Sequence, residues 1–146
     1  MPRSLLALAC LLVSLPALAV GPEVTSLDGD PDWRDAHAHL ARGDYRAALP
    51  LLHRVRTANP ASAEAAAQVG FAYRKLGEMA ASKRFYDAAL TLDRFYLPAI
   101  SYQGQWFLET GDVASARVNL QFLASLCGTC TPWADLDRAI RAREAR

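Results

Sequence analysis

Apolar positions along this chain recur at helical spacing. Ala48, Leu52 and Val55 share one face between residues 45 and 58, and Ala66, Val69, Gly70, Tyr73 and Leu76 share another between 63 and 76. The pattern continues with Ser82, Tyr86, Ala89 and Leu90, then Ile100, Gly104, Phe107 and Leu108, then Ala116, Leu120 and Leu123. No stretch alternates apolar and polar with period two, so helices are predicted and no sheet. The helices are punctuated by Gly43-Asp44-Tyr45-Arg46-Ala47-Ala48, which returns in altered form at Gly77-Glu78-Met79 and Gly111-Asp112-Val113, each glycine 34 residues after the last. A fixed period of that size marks a stack of helix-turn-helix units, each covering the apolar face of its neighbour. The predicted fold is an all-α solenoid over residues 31–146. Its three units span about 29–62, 63–96 and 97–130, and a capping helix follows over about 132–144.

Boundary signals agree with this division. Asp30 or Asp32 caps the first helix, Pro31 suits its first turn, and Asn59-Pro60 ends the second helix before Ser62 caps the third. Gly70 and Gly104 remove side chains where helices approach, with Tyr73 and Phe107 expected to fill the space beside them. At the end of the chain Thr131 reads as an N-cap and Pro132 as the first helical residue, with Trp133, Leu136 and Ile140 turned inward. Asp135 and Asp137 then lie near the positive end of that helix, and Arg141, Arg143 and Arg146 near the negative end.

These residues resemble the tetratricopeptide repeat family. The second unit carries the family's small, aromatic and turn positions as Gly70, Tyr73, Gly77, Ser82, Tyr86 and Ala89, and the third as Gly104, Phe107, Gly111, Ala116 and Leu120. The first keeps Ala36, Gly43, Tyr45, Ala48, Leu52 and Pro60, but has His39 where an aromatic is expected and Asp32 where a large apolar residue is. The resemblance implies a right-handed α-α solenoid whose concave groove, lined by the first helix of each unit, binds a peptide segment or helix of another protein. Carried onto this sequence, the groove residues are Trp33, His37, Phe71, Arg74, Lys75, Tyr102, Gln105 and Glu109, with Glu64, Ala67 and Ser101 alongside. Trp33, Phe71 and Tyr102 would anchor apolar side chains, and Arg74 and Gln105 would hold peptide backbone or a carboxylate; the competing role for Tyr102 is to fill a gap between units. The subfamily that clamps C-terminal carboxylates uses lysines, asparagines and an arginine where this chain has Trp33, His37, Gln68, Pro98 and Tyr102, so that clamp is absent.

Composition places the chain. Apolar residues make up 52%, enough for one packed domain. Residues 1–19 read as a secretory signal peptide: Arg3 supplies positive charge, Ser4 to Leu18 an apolar run, and Ala17-Leu18-Ala19 a cleavage site. The competing reading, an uncleaved membrane anchor, has too short an apolar run. Residues 20–30, rich in Gly, Pro and Asp, read as a flexible leader. Loss of Arg3 on cleavage brings 16 basic residues level with 15 acidic ones, so the chain lacks the basic footprint that nucleic acid or an anionic membrane surface requires.

Export would leave Cys127 and Cys130 as the only cysteines, in a compartment where disulfides persist. Their Cys-Gly-Thr-Cys element favours a structural disulfide locking the cap, and the alternative is a redox dithiol, since this spacing lowers a thiol pKa. No strand precedes the element, which weighs against the redox reading. A metal needs more ligands than two thiols, and His37, His39 and His53 all fall in the first unit. Haem attachment would need histidine where Thr131 stands. The region also resembles a group of exported bacterial tetratricopeptide proteins that end in paired cysteines and a capping helix with a Leu-x-x-Ala-Ile pattern, here Leu136 to Ile140, which implies a periplasmic home. Neither a phosphate loop nor a nucleophile paired with a base emerges. The sequence therefore reads as a periplasmic, non-enzymatic, cofactor-free adaptor, with thiol-disulfide exchange as the alternative.

Overall fold

A computed structural model describes residues 26–145, so the expected signal peptide and most of the expected leader lie outside the described residues. Seven α-helices run in order: α1 Pro31–Ala41, α2 Tyr45–Ala58, α3 Ala63–Lys75, α4 Met79–Leu92, α5 Leu97–Glu109, α6 Val113–Cys127 and α7 Thr131–Glu144. They pair as α1/α2, α3/α4 and α5/α6, and α7 packs on α5 and α6. This is the all-α solenoid the periodicity predicts.

The turn within each pair has one design. Gly43, Gly77 and Gly111 take φ of 74°, 80° and 92°, in the left-handed region that a side chain disfavours. The following amide reaches back to close the helix end: Asp44 N–H to the His39 carbonyl at 2.9 Å, Glu78 to Tyr73 at 2.9 Å and Asp112 to Phe107 at 2.8 Å. These bonds satisfy carbonyls that would otherwise be left open at a helix C-terminus. At the N-termini, the Asp30 carboxylate accepts from the amides of Asp32 at 2.8 Å and Trp33 at 3.4 Å, and Ser62 Oγ accepts from Ala65 N at 3.0 Å.

Two larger apolar clusters are joined by a seam of small residues. Leu27, Trp33, Leu52, Val55 and Val69 anchor the first, and Ile100, Leu123, Leu136 and Ile140 the second. Between them the buried methyls of Ala66, Ala67, Ala89 and Ala99 let α3, α4 and α5 approach closely. Gly70 and Gly104 are buried as expected, but the groups seated on them are Tyr86 and Leu136, not Tyr73 and Phe107. Tyr73 instead packs half-buried on the first cluster, and its hydroxyl bonds His53 Nε2 at 3.0 Å.

Two boundaries differ from expectation. The leader was predicted flexible through residue 30, yet Leu27–Gly29 form a 3-10 turn whose Leu27 is buried against α1. An apolar side chain among Gly, Pro and Asp carries no periodic signal, but it has the start of a solenoid to cover. At the other end Cys130, not Thr131, is the N-cap of α7, and no side chain caps that helix.

The cap keeps the period of the stack. Ala63, Leu97 and Thr131, which begin α3, α5 and α7, are 34 residues apart. Thus α7 is the first helix of a fourth unit whose second helix is missing among the described residues. Where α3 places Val69, Gly70 and Tyr73 toward its partner, α7 carries Asp137, Arg138 and Arg141. Charges at these positions suit water.

Candidate functional site: the concave groove

The first helices, α1, α3, α5 and α7, line one face of the stack, and the expected groove residues divide into three groups there. Trp33 is a correction: it is 4% exposed and packs with Leu27 and Ala36, so it offers no anchor to a partner. The cause is the 3-10 turn, whose Leu27 closes over the start of α1. His37 lies against the indole, ring centroids 4.3 Å apart, with Nε2 buried and without a hydrogen-bond partner. Burial holds its pKa below the ordinary histidine value, partly countered by Asp28.

Arg74 is the second correction. Its side chain is 1% exposed, and its donors are already engaged within the chain. Nε donates to the Tyr86 hydroxyl at 3.2 Å, Nη2 to Gln105 Oε1 at 3.0 Å, and Nη1 to the Glu109 carboxylate. Arg74 therefore ties α3 to α4 and α5 and fixes Gln105 and Glu109 in place. A buried arginine needs such partners, because an uncompensated charge there is costly.

Phe71 and Tyr102 remain half-buried and face open space. Their rings lie 5.1 Å apart, Tyr45 meets the edge of Phe71 at 6.0 Å, and the Lys75 ammonium sits 5.6 Å from the Phe71 centroid. Tyr102 also packs on Tyr86 at 6.2 Å, so it both fills the gap between units and lines the groove.

Sequence reasoning missed the wall opposite these aromatics. Phe71, Tyr102 and Gln105 share a cleft of about 460 Å³ with Asp135, Arg138, Ala139 and Ala142 of α7. An adjoining recess of about 350 Å³ is bounded by Gln105, Leu108 and Glu109 on α5, and by Ala139, Ala142 and Arg143 on α7. The signal that could have found the wall is the period itself. Asp135, Ala139, Ala142 and Arg143 stand one period after Ser101, Gln105, Leu108 and Glu109.

Charge is unevenly distributed along the groove. Burial raises the pKa of Glu64, near the N-terminal end, and Asp28 adds to the shift. At the other end Glu109 is held by Arg74, and Asp135 by Arg138 at 3.1 Å. Lys75 and Arg143 are exposed and have no ion-pair partner among the described residues. Cys127 and Cys130 form a disulfide at the turn that delivers α7 to the groove. Among the described residues no three His, Cys, Asp or Glu side chains gather as a metal site, and no helix is long and apolar enough to cross a membrane.

Paired helices, left-handed glycine turns and a constant period describe one repeat architecture, and residues 39–100 match the tetratricopeptide repeat family. Over those residues the chain is similar to tetratricopeptide repeats. Among solved structures, the first tetratricopeptide domain of Spaghetti (RPAP3), bound to an HSP90 peptide, aligns with a TM-score of 0.66 at 18% identity, covering 77% of this chain and 90% of that one. The second such domain of human RPAP3, in complex with an HSP70 peptide, gives 0.64 at 19% identity over 74% and 91%. The type III secretion translocator chaperone SycD of Yersinia enterocolitica gives 0.66 at 13% identity over 78% and 81%. At these identities the likeness is one of fold. Against curated proteins the sequence has no match.

Proposed function

We propose that this protein is a protein-interaction adaptor that holds a segment of a partner protein in its concave groove, and that it works in a bacterial periplasm. The observation that carries the binding reading is the pair Phe71 and Tyr102, half-buried aromatics facing a cleft that α7 walls on the far side. Aromatic surface next to a recess is what a bound side chain needs for an anchor. Solved tetratricopeptide domains of the same fold, in complex with HSP90 and HSP70 peptides, make a peptide the natural occupant. The periplasmic reading is supported by the signal-like residues 1–19 and by paired cysteines of the kind an oxidising compartment permits.

The test is site-specific photo-crosslinking in cells. A crosslinking residue at Ala142, on the groove wall, should trap a discrete partner, whereas one at Val118 on α6 should not. Equal capture at both positions would sink the reading. Fractionation of the same cells should place the protein with periplasmic markers.

A second reading, thiol-disulfide exchange, rests on Cys130 being the N-cap of α7, where a helix N-terminus favours a thiolate. A measured reduction potential below about −300 mV would assign the bond to structure, and one near −150 mV would favour exchange.

A further inference from the structure

Resting on the reading of this face as a binding groove, we infer that its C-terminal end selects a segment in which acidic side chains flank a bulky apolar one. The apolar part follows from the cleft, where the Phe71 and Tyr102 rings face the small side chains of Ala139 and Ala142. That leaves room for an aliphatic or aromatic side chain between α3, α5 and α7. The acidic part follows from which charges are already engaged. Both carboxylates of this region, Glu109 and Asp135, are bound by arginines of the chain itself, through Arg74 and Arg138. At this end of the groove Lys75 on α3 and Arg143 on α7, one on each flank, are cations without an ion-pair partner among the described residues.

Exposed cations beside an apolar recess attract and orient a partner of opposite charge more than they tighten it. Their placement on two walls favours carboxylates spread along a segment over a single terminal carboxylate.

The experiment uses the full chain and a library of random linear peptides displayed between two fixed protein segments, so that no member has a free C-terminus. Panning should enrich sequences with Asp or Glu on both sides of Leu, Ile or Phe. An enriched peptide, synthesised with its C-terminus amidated, should bind Lys75→Glu/Arg143→Glu about tenfold more weakly than the parent. Added salt should weaken the parent and spare the variant. The same peptide with its acids changed to Lys should recover on the variant. Circular dichroism checks that the variant is folded, as expected for two exposed side chains.

Enrichment without acidic bias, or an acidic preference indifferent to Lys75→Glu/Arg143→Glu, overturns this inference. If those peptides still depend on Phe71, as tested with a folded Phe71→Ala variant, the groove reading survives. Enrichment of no peptide, or binding indifferent to Phe71→Ala, overturns both.

Discussion

Gly70 and Gly104 occupy the same place one period apart, yet different helices fill the space above them. A Cβ on Gly70 would lie 2.7 Å from two ring carbons of Tyr86, which belongs to α4 of the same repeat. A Cβ on Gly104 would lie 2.5 and 2.8 Å from the methyls of Leu136, which belongs to α7. The residue one period after Tyr86 is Leu120, only half-buried, so the last repeat leaves its glycine uncovered and the cap fills the gap. The interior repeat closes on itself with a rigid ring tied by its hydroxyl to Arg74. The terminal repeat depends on its cap, and because α7 is also the groove wall, the packing of Leu136 supports the site.

The largest effect is expected where this dependence is removed. Leu136 is fully buried, and Leu136→Ala should cost about 2–5 kcal/mol by urea denaturation. Amides of α7 should then lose hydrogen-exchange protection before those of α3. A cost near zero would mean that the last repeat stands without its cap. Gly70→Ala should be next, because the Tyr86 ring cannot give way and overpacking costs about 1–3 kcal/mol. Alanine's helix propensity returns about 1 kcal/mol in both variants, but Gly104→Ala should be milder because the opposing atoms are the rotatable ends of Leu136. Thermal melts of the two variants decide the comparison, which fails if Gly104→Ala is the more damaging.

The contrast between the two glycines also marks how far the sequence could be read. Helix count, turn glycines and the faces carrying Leu52, Val69 and Leu123 were legible because each is set by local spacing, and burial agrees. The seat on Gly104 was not, because nothing in a helix's own pattern says which neighbour will reach it. Among the groove residues, Phe71, Tyr102 and Gln105 line the cleft, and Lys75 sits beside Phe71. Trp33 and Arg74 lie on the right helices but turn inward, since a single buried Leu27 and an internal Glu109 compete for them. Both outcomes depend on tertiary partners 6 and 35 residues away, beyond the reach of a periodic argument.

A smaller effect is expected at the Arg74 network. Glu109→Gln keeps the shape but removes the counter-charge from a guanidinium that is 1% exposed. Glu109 itself is 41% exposed, so solvent screens much of the loss and the cost should be about 1 kcal/mol in a thermal melt. A neutral result would mean that Gln105 and Tyr86 suffice to hold the arginine.

The smallest predicted effect separates the two ends of the molecule by pH. All three histidines lie in the first repeat, and burial lowers the pKa of His37 and His53 below the ordinary 6.5. A lowered histidine pKa means that the unfolded chain takes up the proton first. Stability is then full above 6.5, falls as pH drops through that value, and levels off below the folded pKa. Asp32 and Asp112 also have lowered values, but their contribution is lost only on acidification below 3.8, and Glu64, whose pKa burial raises, adds stability on acidification, so a fall between about pH 7 and 5 is the mark of the two histidines. In that window the midpoint of thermal unfolding should fall with acidification, and the fall should flatten in His37→Gln/His53→Gln. Hydrogen exchange should show the loss in α1 and α2 and leave α6 and α7 protected; equal loss at both ends would place the proton uptake elsewhere and remove the contrast.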